Sequence, residues 1–234
     1  MNHIIAISGG KDSTAMALQL KQVEQNDYQY VITPTGDELP EMKKHWETLE
    51  KRLTVSLRVV SPGYSFSDLI NKMSALPNFR MRFCTRMLKI IPFQSYIMNH
   101  LPCTIYVGLR ADEEGRAGVE WDDSQITVRY PLREWNWGID EVLKYLDSVN
   151  IQIPKRTDCA RCFYQTLYEW YMLWKEYPDI YASAVLDEKK IGHTYRSPSR
   201  DTHPAELELL AKEFENGYIP KIRQRKLRCR IFSL

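Results

Sequence analysis

The sequence has no stretch of about 18 consecutive apolar residues, so no membrane-spanning helix is expected. Its first residues, Met1-Asn2-His3-Ile4-Ile5-Ala6-Ile7-Ser8, lack a basic segment, and their apolar run is too short for a secretory leader. The expected location is cytoplasmic. Cysteine is scarce and odd in number: Cys84, Cys103, Cys159, Cys162 and Cys229. In a cytosolic chain that argues against a disulfide framework. Internal repeats and low-complexity segments are also missing. Net charge is only +2 and by itself names no partner.

What is present is ordinary globular composition, 44% hydrophobic and 26% charged over 234 residues. That suits one large domain, or one domain with a smaller appendage. Charge is uneven along the chain. Lys221, Arg223, Arg225, Lys226, Arg228 and Arg230 crowd the segment 221–230. Such a run holds phosphates or nucleic acid, or is simply a solvated tail.

Short β-prone runs at 3–8, 28–33, 55–60 and 104–109 alternate with helical spacing at 12–24, 41–52, 66–75 and 85–99. This alternation predicts an α/β fold, a doubly wound and mainly parallel sheet, over 1–138. In the first helix Ala15, Met16, Leu18 and Leu20 face inward, while Lys21 and Glu24 do not. From 139 to 234 the pattern becomes a helical extension, with helices expected at 139–147, 163–176 and 204–216 and a loop at 192–204. The aromatic stripe Phe163, Tyr164, Tyr168, Trp170, Tyr171 and Trp174 reads as core.

Ligands in such sheets bind beyond the carboxyl ends of the strands. The segment Ser8-Gly9-Gly10-Lys11-Asp12-Ser13 lies there, between a buried strand and a helix. Two glycines let the backbone turn tightly and approach a ligand. The helix start offers N–H groups and a partial positive charge, which suits phosphate. Lys11 adds a mobile charge, and Ser8 and Ser13 add hydroxyls. The plain alternative is a strand-to-helix turn capped by Asp12.

Ser8–Ser13 resembles the PP-loop of the N-type ATP pyrophosphatases. More narrowly, the chain resembles the phosphoadenosine phosphosulfate (PAPS) reductase family. Thr35-Gly36-Asp37-Glu38-Leu39-Pro40-Glu41, Arg82-Phe83-Cys84-Thr85-Arg86-Met87-Leu88-Lys89, and Gly108-Leu109-Arg110-Ala111-Asp112-Glu113 with Arg116 are similar to that family's later segments. Thr157–Gln165, Glu169-Trp170 and Thr194–Pro198 resemble a stand-alone subgroup common in phages and mobile elements. The resemblance implies an adenine nucleotide alpha hydrolase-like fold that binds ATP or a sulfonucleotide. The expected nucleotide-binding residues are Ser8 to Ser13, Thr35, Gly36, Glu38, Gly108, Arg110 and Arg116.

Lys11, Asp12, Arg82, Lys89 and Arg110 are the candidate catalytic residues. Cations from separate loops suit a triphosphate or sulfonucleotide; alternatively they pair with Asp112, Glu113 and Glu114. Arg86 and Lys89, three apart, share a helix face. Asp12 foremost, then Asp37 and Glu38, are candidates to hold Mg²⁺; the latter two could instead cap the next helix.

Cys159-Ala160-Arg161-Cys162 is a Cys-x-x-Cys pair. With Cys84 and Cys229 it makes four thiolates, enough for an iron–sulfur cluster or, second, zinc. Cations flanking Cys229 would stabilise a thiolate. Relatives in the family carry such a cluster on one cysteine of the Cys-to-Lys segment and a later Cys-x-x-Cys; that none of the cysteines binds a metal stays open. Cys103 reads as a small buried residue. A true PAPS reductase also carries a C-terminal Glu-Cys-Gly-x-His setting, which this chain, ending Arg228-Cys229-Arg230-Ile231-Phe232-Ser233-Leu234, does not show.

Three activities are therefore expected, in order. The first is adenylylation of an acceptor by ATP, releasing pyrophosphate and then AMP. The second is sulfonucleotide reduction, and the third a non-catalytic nucleotide- or nucleic-acid-binding module. Partners expected are an adenine nucleotide and a nucleic-acid acceptor on the tail 221–230, with no membrane; a homo-oligomer stays open.

Overall fold

A computed structural model describes residues 1–113, 115–118 and 121–222. Five parallel strands, β1 (Asn2–Ile7), β2 (Tyr28–Ile32), β3 (Arg58–Val59), β4 (Cys103–Tyr106) and β5 (Ile126–Arg129), form one sheet in the order β3-β2-β1-β4-β5. The chain winds outward from β1 to β3, then crosses back to β4 on the other side of β1. The loops after β1 and β4 therefore part at a topological switch point, where such sheets open a crevice.

Helices α1 (Lys11–Val23), α2 (Pro40–Leu53) and α3 (Phe66–Met73) follow the first three strands. A short α4 (Phe83–Thr85) runs through a π turn, Arg86–Ile90, into α5 (Ile91–Met98). Pro92 has no N–H to give to the carbonyl four residues back, and the wider i→i+5 winding sits just before it. Then come α6 (Pro131–Glu134), α7 (Ile139–Ser148), α8 (Leu167–Glu176), α9 (Pro178–Ile191) and α10 (Leu207–Glu215).

Alternation along β1 divides the packing. Ile5 and Ile7 join Ala15, Met16, Leu20 and the α7 residues Val142 and Leu146 on one face. Ile4 joins Phe93 and Ile97 of α5 on the other. A third cluster lies beyond the sheet edge. It packs Phe66, Leu69, Ile70 and Leu88 against Trp170, Tyr181, Tyr195, Leu210 and Phe214. Residues before and after position 138 thus share one apolar core. Within the aromatic stripe Phe163, Trp170 and Tyr171 are buried and Tyr164, Tyr168 and Trp174 pack partly buried against them.

The structure adds β5, α6 and α9 to the expected elements. It cuts the 55–60 run down to β3 and starts α8 at Leu167, where Thr166 and Glu169 form a capping box. Cys103 opens β4 fully buried. Among the described residues no helix is long and apolar enough to cross a membrane.

Candidate active site

The turn after β1 is built by its own hydroxyls. Ser13 Oγ accepts from Ser8 N at 3.2 Å and donates to Gly10 O at 3.1 Å; the Ser8 and Ser13 hydroxyls meet at 3.0 Å. Gly10, not Asp12, is the N-cap of α1, and no side chain caps that helix. Gly9 sits at φ +76°, and a Cβ there would stand 2.6 Å from Met42 Cε and 2.8 Å from Trp46 Nε1. Gly108, just past β4, abuts the same helix start. A Cβ on it would lie 3.0 Å from Ser13 N. These two glycines let α2 and the β4 loop press the turn into place.

Asp12 lies between cations: Lys11 Nζ donates to it at 2.9 Å and Arg110 Nη1 at 3.0 Å. Arg110 also donates to Asp112 at 2.7 Å, and its side chain is only 8% exposed. Asp112 in turn accepts from Ile139 N at 3.1 Å, tying the loop to α7. Arg116 pairs with Glu113 at 3.2 Å. Arg133, which the sequence did not single out, braces this loop by donating to the carbonyls of Arg116 (2.6 Å) and Glu113 (3.1 Å).

The turn opens on a cleft of about 670 Å³. Ser8, Gly10 to Ser13, Glu38, Lys89, Gly108, Glu113 and Arg116 form its polar wall. Ala6, Val31 and Val107, at or just past the strand ends, and Phe93 of α5 form an apolar wall. The extension closes a third side with Lys155, Arg156, Thr157 and Asp158, again unforeseen from the sequence. Thr157 comes so near Gly10 that an added Cβ would find its Oγ1 at 3.8 Å.

Not every expected residue reaches the cleft. Arg82 stands outside its wall, with its guanidinium 5.7 Å from the Tyr164 ring centroid. Arg110 and Gly9 lie behind the wall. Thr35 and Gly36 also lie behind it. Both donate to Glu38, Thr35 N at 2.6 Å and Gly36 N at 3.0 Å, and so aim its carboxylate. Arg86 and Lys89 do not share the cleft: Arg86 is exposed, and Lys89 alone lines it. The π turn between them changes the angular step on which the expected common face depended.

Asp37 is a structural group rather than a metal ligand. Buried, it accepts from Arg161 N and Nε, both at 2.8 Å, and pairs with Arg161 Nη2 at 2.7 Å. Neither Asp37 nor Glu38 caps α2, whose N-cap is Leu39. Arg161 also reaches Asp187 at 2.6 Å. The Cys159–Cys162 loop is thereby clamped onto the second strand's loop. Arg156 adds hydrogen bonds to Gln165, to Cys159 O and to Ala160 O.

Cys159 and Cys162 line the cleft, whereas Cys84 does not. Burial pushes the Cys159 thiol up to about 12, against the pull of Lys89, and Thr35 Oγ1 lies 3.4 Å from its sulfur. Among the described residues no three His, Cys, Asp or Glu side chains gather as a metal-holding group. Cys229 and the tail residues 223–230 lie outside the described residues, as does Glu114. For Mg²⁺ the fit is better. This ion needs only one or two carboxylates beside substrate phosphates, and Asp12 and Glu38 are both in the wall.

A cleft at the carboxyl ends of parallel strands, with a helix mouth on one side and apolar residues on another, is the place where α/β folds of this kind bind their ligands. The phosphoadenosine phosphosulfate reductase domain matches residues 2–158, and the chain belongs to that family. The uncharacterized nin region protein ORF290 of Escherichia phage lambda is 28% identical over 244 residues, spanning 88% of this chain and 80% of that protein. Phosphoadenylyl-sulfate (PAPS) reductase from Candida auris, solved as a phosphate complex, is similar in fold. It has a TM-score of 0.53 and 15% identity, over 65% of this chain and 75% of that one. The tRNA thiolase NcsA of Methanococcus maripaludis, solved with its 4Fe–4S cluster, overlaps at a TM-score of 0.46 and 14% identity, covering 96% of this chain and 84% of that one.

Proposed function

We propose that the protein is a PP-loop ATP pyrophosphatase that adenylylates an acceptor. The observation that carries this reading is the cleft itself, in which the uncapped mouth of α1 meets an apolar strand-end wall. ATP fits with its base against Val31, Phe93 and Val107 and its β- and γ-phosphates on residues 8–13. An acceptor oxygen attacks the α-phosphorus; the new P–O bond forms as the bond to the bridging oxygen breaks, and pyrophosphate leaves with that electron pair. Lys11, Lys89 and Arg116 face the charge that builds on the leaving group. Arg110 acts through Asp12, which it holds at 3.0 Å. A nitrogen or sulfur nucleophile then displaces AMP from the acceptor.

The test is product analysis with ATP and Mg²⁺. Pyrophosphate and AMP are expected, and Lys11→Ala should lower their release by about 10²–10³, the usual cost of removing one transition-state charge partner. ADP and orthophosphate as sole products would refute the reading.

The family and the two thiols in the cleft wall favour sulfonucleotide reduction as the second reading. There a cysteine sulfur attacks the sulfonate sulfur, the nucleotide leaves, and a dithiol reductant releases sulfite. Sulfite release from the sulfonucleotide, lost in Cys159→Ser or Cys162→Ser, distinguishes it.

A further inference from the structure

From residue 69 to residue 111 the sequence contains no Asp or Glu, yet it holds Lys72, Arg80, Arg82, Arg86, Lys89 and Arg110. The fold sets part of this stretch beside aromatic rings. Asn78 shapes a turn, its side-chain oxygen accepting from Arg80 N at 2.9 Å and Met81 N at 3.0 Å. That turn presents Phe79, 49% exposed, edge-on to Tyr164 and Phe163 with ring centroids 4.9 and 5.5 Å apart. The Arg82 guanidinium lies over the Tyr164 ring. From the 192–204 loop, Arg200 donates to the carbonyls of Phe163 and Tyr164 at 3.1 and 3.3 Å, fixing the backbone under the rings. Arg80 and Arg86 are exposed, and neither forms an ion pair among the described residues. The surface runs into the cleft, because Cys162 precedes Phe163, Lys89 follows Arg86 within the π turn, and both Cys162 and Lys89 line that cleft.

We propose that this surface docks single-stranded nucleic acid. Its bases stack on Phe79 and on the Arg82–Tyr164 pair, its phosphates lie on Arg80 and Arg86, and a base is led toward Lys89. Unstacked bases fit rings held in a rigid turn, since every base offers a π-face. A duplex hides those faces and offers only phosphates, and an acidic protein segment has no need of the rings. The assignment deepens the adenylylation reading by naming its acceptor as a nucleobase, and in that respect alone rests on it.

Fluorescence anisotropy with labelled single-stranded DNA and RNA oligonucleotides, titrated with salt and without ATP, tests the surface on the full chain. Arg80→Glu/Arg86→Glu should weaken binding tenfold or more. It should also flatten the log K against log salt slope by about 1.4, at about 0.7 for each phosphate no longer neutralised. Phe79→Ala should weaken binding about tenfold, as the loss of one stacked base does. Without nucleic acid, water takes the place of the acceptor, and this slow hydrolysis of ATP to AMP and pyrophosphate should stay at the parent rate in these variants, which also shows that they fold. Lys11→Ala should lose that release and keep strand binding. Strand binding by a parent that releases no pyrophosphate from ATP, with the strand present or absent, upholds the surface and removes only its link to adenylylation. The proposal is overturned if the variants bind like the parent, which would move binding to the basic tail. It is likewise overturned if the parent fails to bind, or binds duplex or polyglutamate as tightly as single strands.

Discussion

Replacing Asp37 by alanine separates a structural carboxylate from a metal ligand. The Asp37 and Arg161 side chains are 6% and 8% exposed, so the substitution strands a buried guanidinium. Removing one partner of a buried pair typically costs about 3–5 kcal/mol. Arg161 keeps Asp187 at 2.6 Å and Ser67 at 2.8 Å, which places the expected loss at the lower end, about 3 kcal/mol. For a chain of this size that lowers the melting midpoint by about 6–12 °C. Thermal unfolding followed by circular dichroism measures it. Asp37→Ala/Arg161→Met should recover most of the loss, because deleting both charges removes the stranded cation. Alkylation of Cys159 and Cys162 should speed up in the single variant as their loop loosens. An unchanged midpoint combined with a lost Mg²⁺ dependence of nucleotide binding would refute the reasoning and return Asp37 to the metal.

Two further outcomes follow from buried groups and close approaches. Burial raises Glu188 from 4.5 to about 7, although its carboxylate accepts from Tyr195 N and Leu207 N, each at 2.8 Å. A carboxyl raised in the fold binds its proton more tightly there than in the unfolded chain. Its contribution is therefore full below pH 4.5 and is lost as pH climbs through about 7. At about 1.4 kcal/mol per pH unit this is worth about 3 kcal/mol. Urea unfolding should show Glu188→Gln less stable than the parent at pH 5, with the gap closing by about that amount near pH 8; a constant gap would show that Glu188 does not titrate in this window. Gly9→Ala places a Cβ against Met42 and Trp46 at positive φ and should cost about 2–3 kcal/mol while weakening nucleotide binding; calorimetry unchanged on both counts would mean that the turn yields without strain.

The parts of the fold written in local pattern were legible beforehand. The strand, Gly-Gly turn and amphipathic α1 follow from neighbours within about 20 residues, as do the parallel sheet and the cation-bearing loops at its edge. Helix α9 carried its own boundary marks, Pro178 at the start and Gly192 in the left-handed region at the end. Asp187, Glu188, Lys189 and Lys190 interrupt its apolar spacing, so no helical period stands out. Strand β5 is as short as β4, but Thr127 and Arg129 deny it the apolar run that marks 104–109.

The site divides along the same line, between what spacing encodes and what only the fold brings together. Residue types alone marked Lys11, Lys89 and Arg116, which the fold brings to one cleft from separate loops. Their burial and partners were not in the sequence. Arg110 is taken up by Asp12 and Asp112, and Arg82 lies over Tyr164, while Lys89 reaches the wall. Arg161 and Asp37 are 124 positions apart, and Arg133 meets Arg116 across 17. No period links such pairs; the first exists because the extension folds back over the switch point, the second because α6 packs under the loop after β4. The cleft wall is therefore completed by chain that lies beyond the strand–helix alternation. An isolated 1–138 segment would keep the PP-loop but lose Lys155 to Asp158 and the Arg161 clamp, so its cleft would be open where the full chain closes it.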